Sequence, residues 1–219
     1  MKKLEKADAF VANGAGMESF LDKVIKEQRQ LKVIDASKDI ELLEDNGEKN
    51  PHVWLSITAN IQQVKNITQQ LKTADPSHAD AYQANSDEYI KKLEALKKEM
   101  HDNLDSLPHK DIVTFHEAFP YFAKEFGLHI IAVIEREPGS DPTPSELQET
   151  IEKVNSLSAK VLFTEPQYSP NAAQTIARET NAKIYSLDPV VTGEATEVVM
   201  DAYLDTMRKN MQILKEALQ

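Results

Sequence analysis

The sequence predicts an α/β protein of two lobes, each with a parallel sheet flanked by helices, joined by one long rigid helix, with the N-terminal lobe incomplete. Three observations predict it. After Lys110, apolar β-branched runs alternate with amphipathic segments of helical period, the pattern of a doubly wound parallel sheet. Before Pro76 the same alternation supplies only two strands, too few for a lobe whose helices need a sheet to cover. Between these parts, from about Ser77 to Leu107, the chain has no Gly or Pro and is rich in charge. A helix of that extent is roughly 45 Å long, which suits a strut between lobes better than a buried core helix. The predicted parts are a partial N-terminal lobe over 1–76, a connecting helix over 77–107 and a C-terminal lobe over 108–219.

The elements follow in order. Ala9 to Ala12 reads as a strand closed by Asn13 and Gly14, and Met17, Phe20, Leu21, Val24 and Ile25 then share a helical face. Leu31 to Ala36 is a second strand, which completes a βαβ unit. Residues 41–50 (ELLEDNGEKN) form an acidic loop that ends at Pro51 and His52. Val53 to Leu71 carries apolar residues at helical spacing, and Asp75 with Pro76 punctuates the chain as an N-cap and a first-turn proline. Ile112 to Phe115 is a buried strand that stops at His116, followed by Phe119, Phe122, Ala123 and Phe126 on one helical face and Gly127 as a stop. Leu128 to Ile134 is a further strand. Thr143, Pro144 and Glu146 spell an N-cap, first-turn proline and capping-box acid. Val161 to Phe163 is a strand ending at Thr164, Glu165 and Pro166, and Ser169 with Pro170 caps the next helix. Lys183 to Leu187 is the last strand, ending at Asp188 and Pro189. The final helix runs from about Ala195 to Leu218, with Val198, Val199, Leu204, Met207, Met211 and Leu214 in its apolar set.

Composition narrows the function. A net charge of −11 argues against a nucleic-acid surface, which needs clustered Lys and Arg. The absence of cysteine excludes disulfides and thiolate metal sites. No apolar run reaches the length of a membrane span, and the charges that follow Lys2 and Lys3 break any signal-peptide core. What remains is a set of imidazoles and carboxylates at breaks in regular structure. His116 stands at the carboxyl end of a strand, where open α/β sheets bind ligands. Beside a helix start its ring would stay neutral, the form that ligates metal; a helix-capping or core histidine fits the same stretch. His52 follows Pro51 at a loop-to-helix junction, and Asp188 follows a strand. Two imidazoles and one carboxylate suit zinc. HEAFP lacks the second histidine of a zinc-protease helix.

The segments NPHVWLS, VTFHEAFPYFAKEFGL, EPGSDPTPSEL, VLFTEPQYSP and YSLDP, in this order, resemble the metal-binding substrate-binding proteins of ABC importers, in the zinc-type branch of the zinc and manganese adhesin-like lipoproteins. The resemblance covers essentially the whole chain. It implies two lobes on one connecting helix with metal in the cleft between them. It assigns His52 as the N-lobe ligand, His116 as the C-lobe histidine and Asp188 as the C-lobe carboxylate. Glu165, which also ends a strand at that cleft, is a candidate ligand or hydrogen-bond acceptor for a ligating histidine, with a structural role as its alternative, and Trp54 either walls the metal cleft or simply packs. Manganese-type members carry an acid where His116 stands, so zinc is the expected ion and manganese the lesser one.

The resemblance further implies an extracytoplasmic protein, periplasmic or surface-anchored, that passes the ion to an ABC permease and is not an enzyme. The family's opening strands, its further histidine, its leader and its lipidated cysteine have no counterpart here. The chain is therefore expected to be N-terminally truncated, to lack one of four ligands and to touch membrane only through an anchor it does not carry. An exposed sheet edge would favour a homodimer whose chains complete each other. The alternatives are a zinc-dependent hydrolase using the water on a three-ligand site, and an adhesin or interaction module with a structural metal.

Overall fold

A computed structural model of the protein describes residues 4–28, 30–45, 47–134, 142–157, 160–167, 171–193 and 200–219. The chain divides into two compact units, Met1–Glu94 and Ala95–Gln219. Among the described residues no helix is long and apolar enough to cross a membrane.

In the first unit, β1 (Ala9–Ala12) and β2 (Lys32–Asp35) pair in parallel, with Ala9 opposite Lys32 and Ala12 opposite Asp35. The helix between them is shorter than the apolar spacing predicts. Only α1 (Asp22–Glu27) is α-helical, after a 3-10 turn at Ser19–Leu21, and Phe20 is 78% exposed. The cause lies just upstream: Gly14, Ala15 and Gly16 all take positive φ, which a right-handed helix excludes, so the backbone is still unwinding at Met17. A side chain at Gly14 would also meet Asp35, since a Cβ there would lie 2.1 Å from its Oδ1. The acidic loop contains a short antiparallel hairpin, β3 (Glu44–Asp45) with β4 (Glu48–Lys49). After a 3-10 turn at Val53–Leu55, α2 (Ile57–Ala74) starts at Ser56, whose hydroxyl accepts the Ala59 N–H as an N-cap should. Val53, Leu55, Ile57, Ile61 and Ile34 are among the buried apolar residues of this unit.

Asp75 ends α2, but its carboxylate does not cap backbone as expected. It accepts side-chain bonds from Ser77 Oγ (2.5 Å), Tyr82 OH (2.8 Å) and His78 Nδ1 (2.7 Å). Those bonds, with Ser77 first, hold its pKa down to about 2. A depressed carboxylate stabilises the fold above its unfolded pKa near 4 and loses that contribution as pH falls towards 2. Asp75→Ala is therefore expected to lower the melting temperature at pH 7. The gap to the parent should shrink as pH drops from 4 towards 2, and a gap independent of pH would refute this role.

The long helix α3 (Ala79–Leu104) spans 26 residues, about 39 Å at 1.5 Å per residue, and carries the chain from the first unit into the second. It is more than a strut. Leu93, Leu96, Met100 and Leu104 are fully buried, because their spacing of three and four makes one continuous apolar stripe. His101 is half-buried against the Phe126 ring at 5.0 Å and bonded to Asp105, so it does not simply face solvent.

Among the described residues the second unit holds a four-stranded, all-parallel sheet. Its strands are β5 (Asp111–Thr114), β6 (His129–Val133), β7 (Val161–Thr164) and β8 (Lys183–Ser186), in the order β6-β5-β7-β8. The helices are α4 (Pro120–Phe126), α5 (Pro144–Ser156), α6 (Asn171–Thr180) and α7 (Ala202–Leu218). Gly127 closes α4 in the left-handed conformation. The capping box of α5 is formed as read, with Thr143 and Glu146 bonding each other's backbone N–H. Val113, Phe115, Ala132, Ile134 and Leu162 pack against Val154 of α5 and Ala173 and Ile176 of α6. The alternate residues Ile112, Thr114, Val161 and Phe163 are buried as well, so the sheet is covered on both faces. Arg208 and Lys215 of α7 reach Glu99 and Asn103 of α3 at 3.0 and 2.7 Å. The helix caps at Ser169 and Pro170 and the apolar positions Val198 and Val199 lie outside the described residues.

Candidate metal centre

Strand order decides where this sheet can hold a ligand. The chain leaves β5 through α4 to β6 on one side, then returns through α5 to β7 on the other. The carboxyl ends of β5 and β7 therefore flank a topological switch point, the crevice in which open α/β sheets bind ligands. His116 follows β5 and Glu165 follows β7. The two meet there: His116 Nδ1 donates to Glu165 Oε1 at 2.5 Å, and the His116 backbone N–H points to the same oxygen at 3.3 Å. Glu165 is 2% exposed and His116 8%. Gln167 Nε2 donates to the other carboxylate oxygen at 2.8 Å.

This geometry corrects one sequence expectation. The following helix begins at Pro120, so His116 is not at a helix start. What orients the ring is a buried carboxylate, not a helix dipole. With Nδ1 carrying the hydrogen that Glu165 accepts, a neutral ring has its lone pair on Nε2, the atom that ligates metals when a carboxylate holds the opposite nitrogen.

Asp188 lies two residues beyond β8, where Asn210 of α7 clamps its backbone. Asn210 Oδ1 accepts the Asp188 N–H at 2.9 Å, and Asn210 Nδ2 donates to the Asp188 carbonyl at 2.7 Å. The carboxylate turns back to accept the Val190 N–H at 2.8 Å, and that turn puts Val190 at a φ of 58°. In the first unit, His52 Nδ1 and the His52 backbone N–H both donate to Asn50 Oδ1, at 3.0 and 2.9 Å, which again leaves the lone pair of a neutral ring on Nε2. The Trp54 ring lies 5.3 Å from the His52 ring. Thus His116 and Glu165 are in direct contact, and Trp54 lies beside His52. Neither unit by itself gathers three or more His, Asp or Glu side chains able to hold a metal among the described residues.

Asn50, Gln167 and Asn210 were not anticipated from the sequence. The only trace of Asn210 is its place on the apolar face of α7, three residues after Met207 and one before Met211, where it is 1% exposed. Asn50 and Gln167 each stand two residues from a candidate, a spacing with no periodic signature. His129, for which the sequence suggests no partner, bonds Asp111 at 2.9 Å.

The sequence family described as zinc-uptake complex component A, periplasmic (ZnuA), matches residues 1–217 of the chain. The chain belongs to the ZnuA family. The high-affinity zinc uptake system protein ZnuA of Bacillus subtilis is 32% identical over 98% of this chain and 73% of its own length. The zinc-binding lipoprotein AdcA of Streptococcus pneumoniae is 30% identical over 98% of this chain, which spans only 46% of AdcA. The solved structure of the substrate-binding protein FpvC from Pseudomonas aeruginosa with Mn2+ superposes with a TM-score of 0.88 at 34% identity, covering 99% of this chain and 81% of that one. The α/β fold of the ZnuA family, with parallel sheets flanked by helices and a long helix leading from one to the other, is therefore the fold of this chain. Its relatives are substrate-binding transport proteins, and their ions include zinc and manganese.

Proposed function

We propose that this ZnuA-family chain captures a divalent metal outside the cytoplasm, zinc in preference to manganese, and delivers it to the permease of an ABC importer. His52, His116 and Asp188 are its ligands. The observation that carries the reading is the His116–Glu165 pair at the switch point of the sheet. A buried imidazole whose Nδ1 is held by a buried carboxylate is oriented to present Nε2 to a cation. Asn50 gives His52 the same tautomer. Two imidazoles and a carboxylate suit zinc better than manganese, which favours oxygen donors. Glu165 orients His116, and Trp54 walls the site beside His52. A relative described as a lipoprotein supports a surface-anchored location. The task is capture and release, with only metal–ligand bonds made and broken, and release follows when the ligands separate on docking.

Calorimetric titration at pH 7 tests the reading. Zn2+ is expected to bind at one equivalent and more tightly than Mn2+. No heat with either ion would overturn metal capture, and tighter Mn2+ binding would overturn the preference for zinc.

A further inference from the structure

The peptide plane that carries His52 is held at both ends by side chains, one of them 38 positions away in the sequence. At one end the Pro51 carbonyl accepts Asn13 Nδ2 at 2.9 Å and the Val53 N–H at 2.8 Å. At the other, the His52 N–H donates to Asn50 Oδ1, which also holds the ring. Asn13 is itself fixed on every side. Its backbone N–H donates to Glu18 Oε1 at 2.7 Å, and its carbonyl accepts the Ser37 N–H at 3.1 Å. Gln63 Nε2 donates to Asn13 Oδ1 at 2.9 Å and to Ser37 Oγ at 3.1 Å. Gln63 is a buried glutamine in the middle of α2. The Pro51 carbonyl can only accept, so the Asn13 amide NH2 has to face it, and Asn13 Oδ1 is then left to accept from Gln63. The polarity of the whole relay is therefore set by the Pro51 carbonyl. Gly14 completes it, since any side chain there would strike Asp35, whose Oδ1 accepts the Ser37 N–H at 3.0 Å.

We propose that Asn13 is a positioning residue for metal capture: through the Pro51 carbonyl it fixes the backbone from which His52 projects. The proposal rests on the reading of His52 as a ligand. Rigid support of this kind matters because a ligand held only at its ring nitrogen still swings with its own backbone, and partners one step removed from a metal ligand commonly change affinity by about 10- to 100-fold. Nothing in the spacing of Asn13, Pro51 and Gln63 along the chain announces the relay.

The test is Zn2+ competition against a chromophoric chelator on the 219-residue chain. It compares the parent with Asn13→Asp, Asn13→Ala, His52→Ala and the doubles that combine each Asn13 change with His52→Ala. Asn13→Asp keeps an acceptor for Gln63 but has no amide hydrogen for Pro51. Both Asn13 variants are expected to weaken Zn2+ binding by about tenfold or more and to shift the visible spectrum of bound Co2+. In the His52→Ala background they should cost no further affinity. Should the Asn13 variants melt below the working temperature, Asn50→Ala breaks the other end of the same peptide plane and is expected to give the same loss. Asn13 variants with parental affinity and spectrum, beside an impaired His52→Ala, would overturn the proposal and leave His52 a ligand. An equal loss in the His52→Ala background would also overturn it, by showing a general structural effect. Parental binding by His52→Ala would overturn the ligand assignment itself.

Discussion

Glu165→Ala is expected to weaken Zn2+ binding by about 10- to 100-fold while leaving the protein folded. The carboxylate stands between His116 Nδ1 and Gln167 Nε2 and is almost fully buried. Its removal frees the imidazole to rotate and to choose the other tautomer, which would present an N–H instead of a lone pair towards the ion. The buried ring and backbone N–H groups of His116 also lose their acceptor, and a hydrogen bond to a charged group is worth about 1.5–3 kcal/mol. A modest loss of stability should therefore accompany the loss of affinity. Glu165→Gln separates the two effects, because its amide oxygen still accepts from Nδ1 without the charge. It should bind between the parent and Glu165→Ala. Parental affinity in Glu165→Ala would mean that the contact with His116 does not serve metal capture.

The largest loss of stability is expected from Phe122→Ala, about 3–5 kcal/mol. Phe122 is 1% exposed at the centre of a row of rings. It meets Phe119 edge-on at 6.1 Å and Phe126 at 4.7 Å, and Phe126 in turn meets His101 of α3. Truncation removes the transfer energy of a whole aromatic side chain and leaves a hole that its two neighbours cannot fill without leaving their own contacts. For a protein of this size that corresponds to a melting temperature lower by on the order of 10 °C. Thermal denaturation of the metal-free protein checks it, and a loss under about 1 kcal/mol would show that the row is not a packed core.

Much of this fold was legible because strands and helices leave periodic traces. Val161 to Thr164 is buried on both faces and reads as a short apolar run, and Thr143, Pro144 and Glu146 declare the start of α5. Positions where backbone conformation overrides hydrophobic period were less legible. The left-handed turn at Gly14 to Gly16 cuts α1 short and leaves Phe20 exposed although it sits at helical spacing. Charge density likewise disguised α3, whose stripe of Leu93, Leu96, Met100 and Leu104 is wholly buried beneath a polar remainder. At the candidate site, His116 was readable as the residue at which a buried strand stops. Of the residues that orient the candidates, the sequence offers Glu165, 49 positions from His116, as a candidate hydrogen-bond acceptor for a histidine without specifying which, and it does not single out Asn210, 22 from Asp188. Hydrogen bonds over such separations depend on strand order and helix docking, which no local spacing encodes.

The most direct test of the ligand set is X-ray absorption at the zinc edge on protein loaded with one equivalent of Zn2+. With His52, His116 and Asp188 as ligands, the spectrum should show scattering from two imidazole rings, with oxygen completing the shell. His116→Ala should remove one ring. An all-oxygen shell, or a spectrum unchanged by His116→Ala, would contradict the assignment.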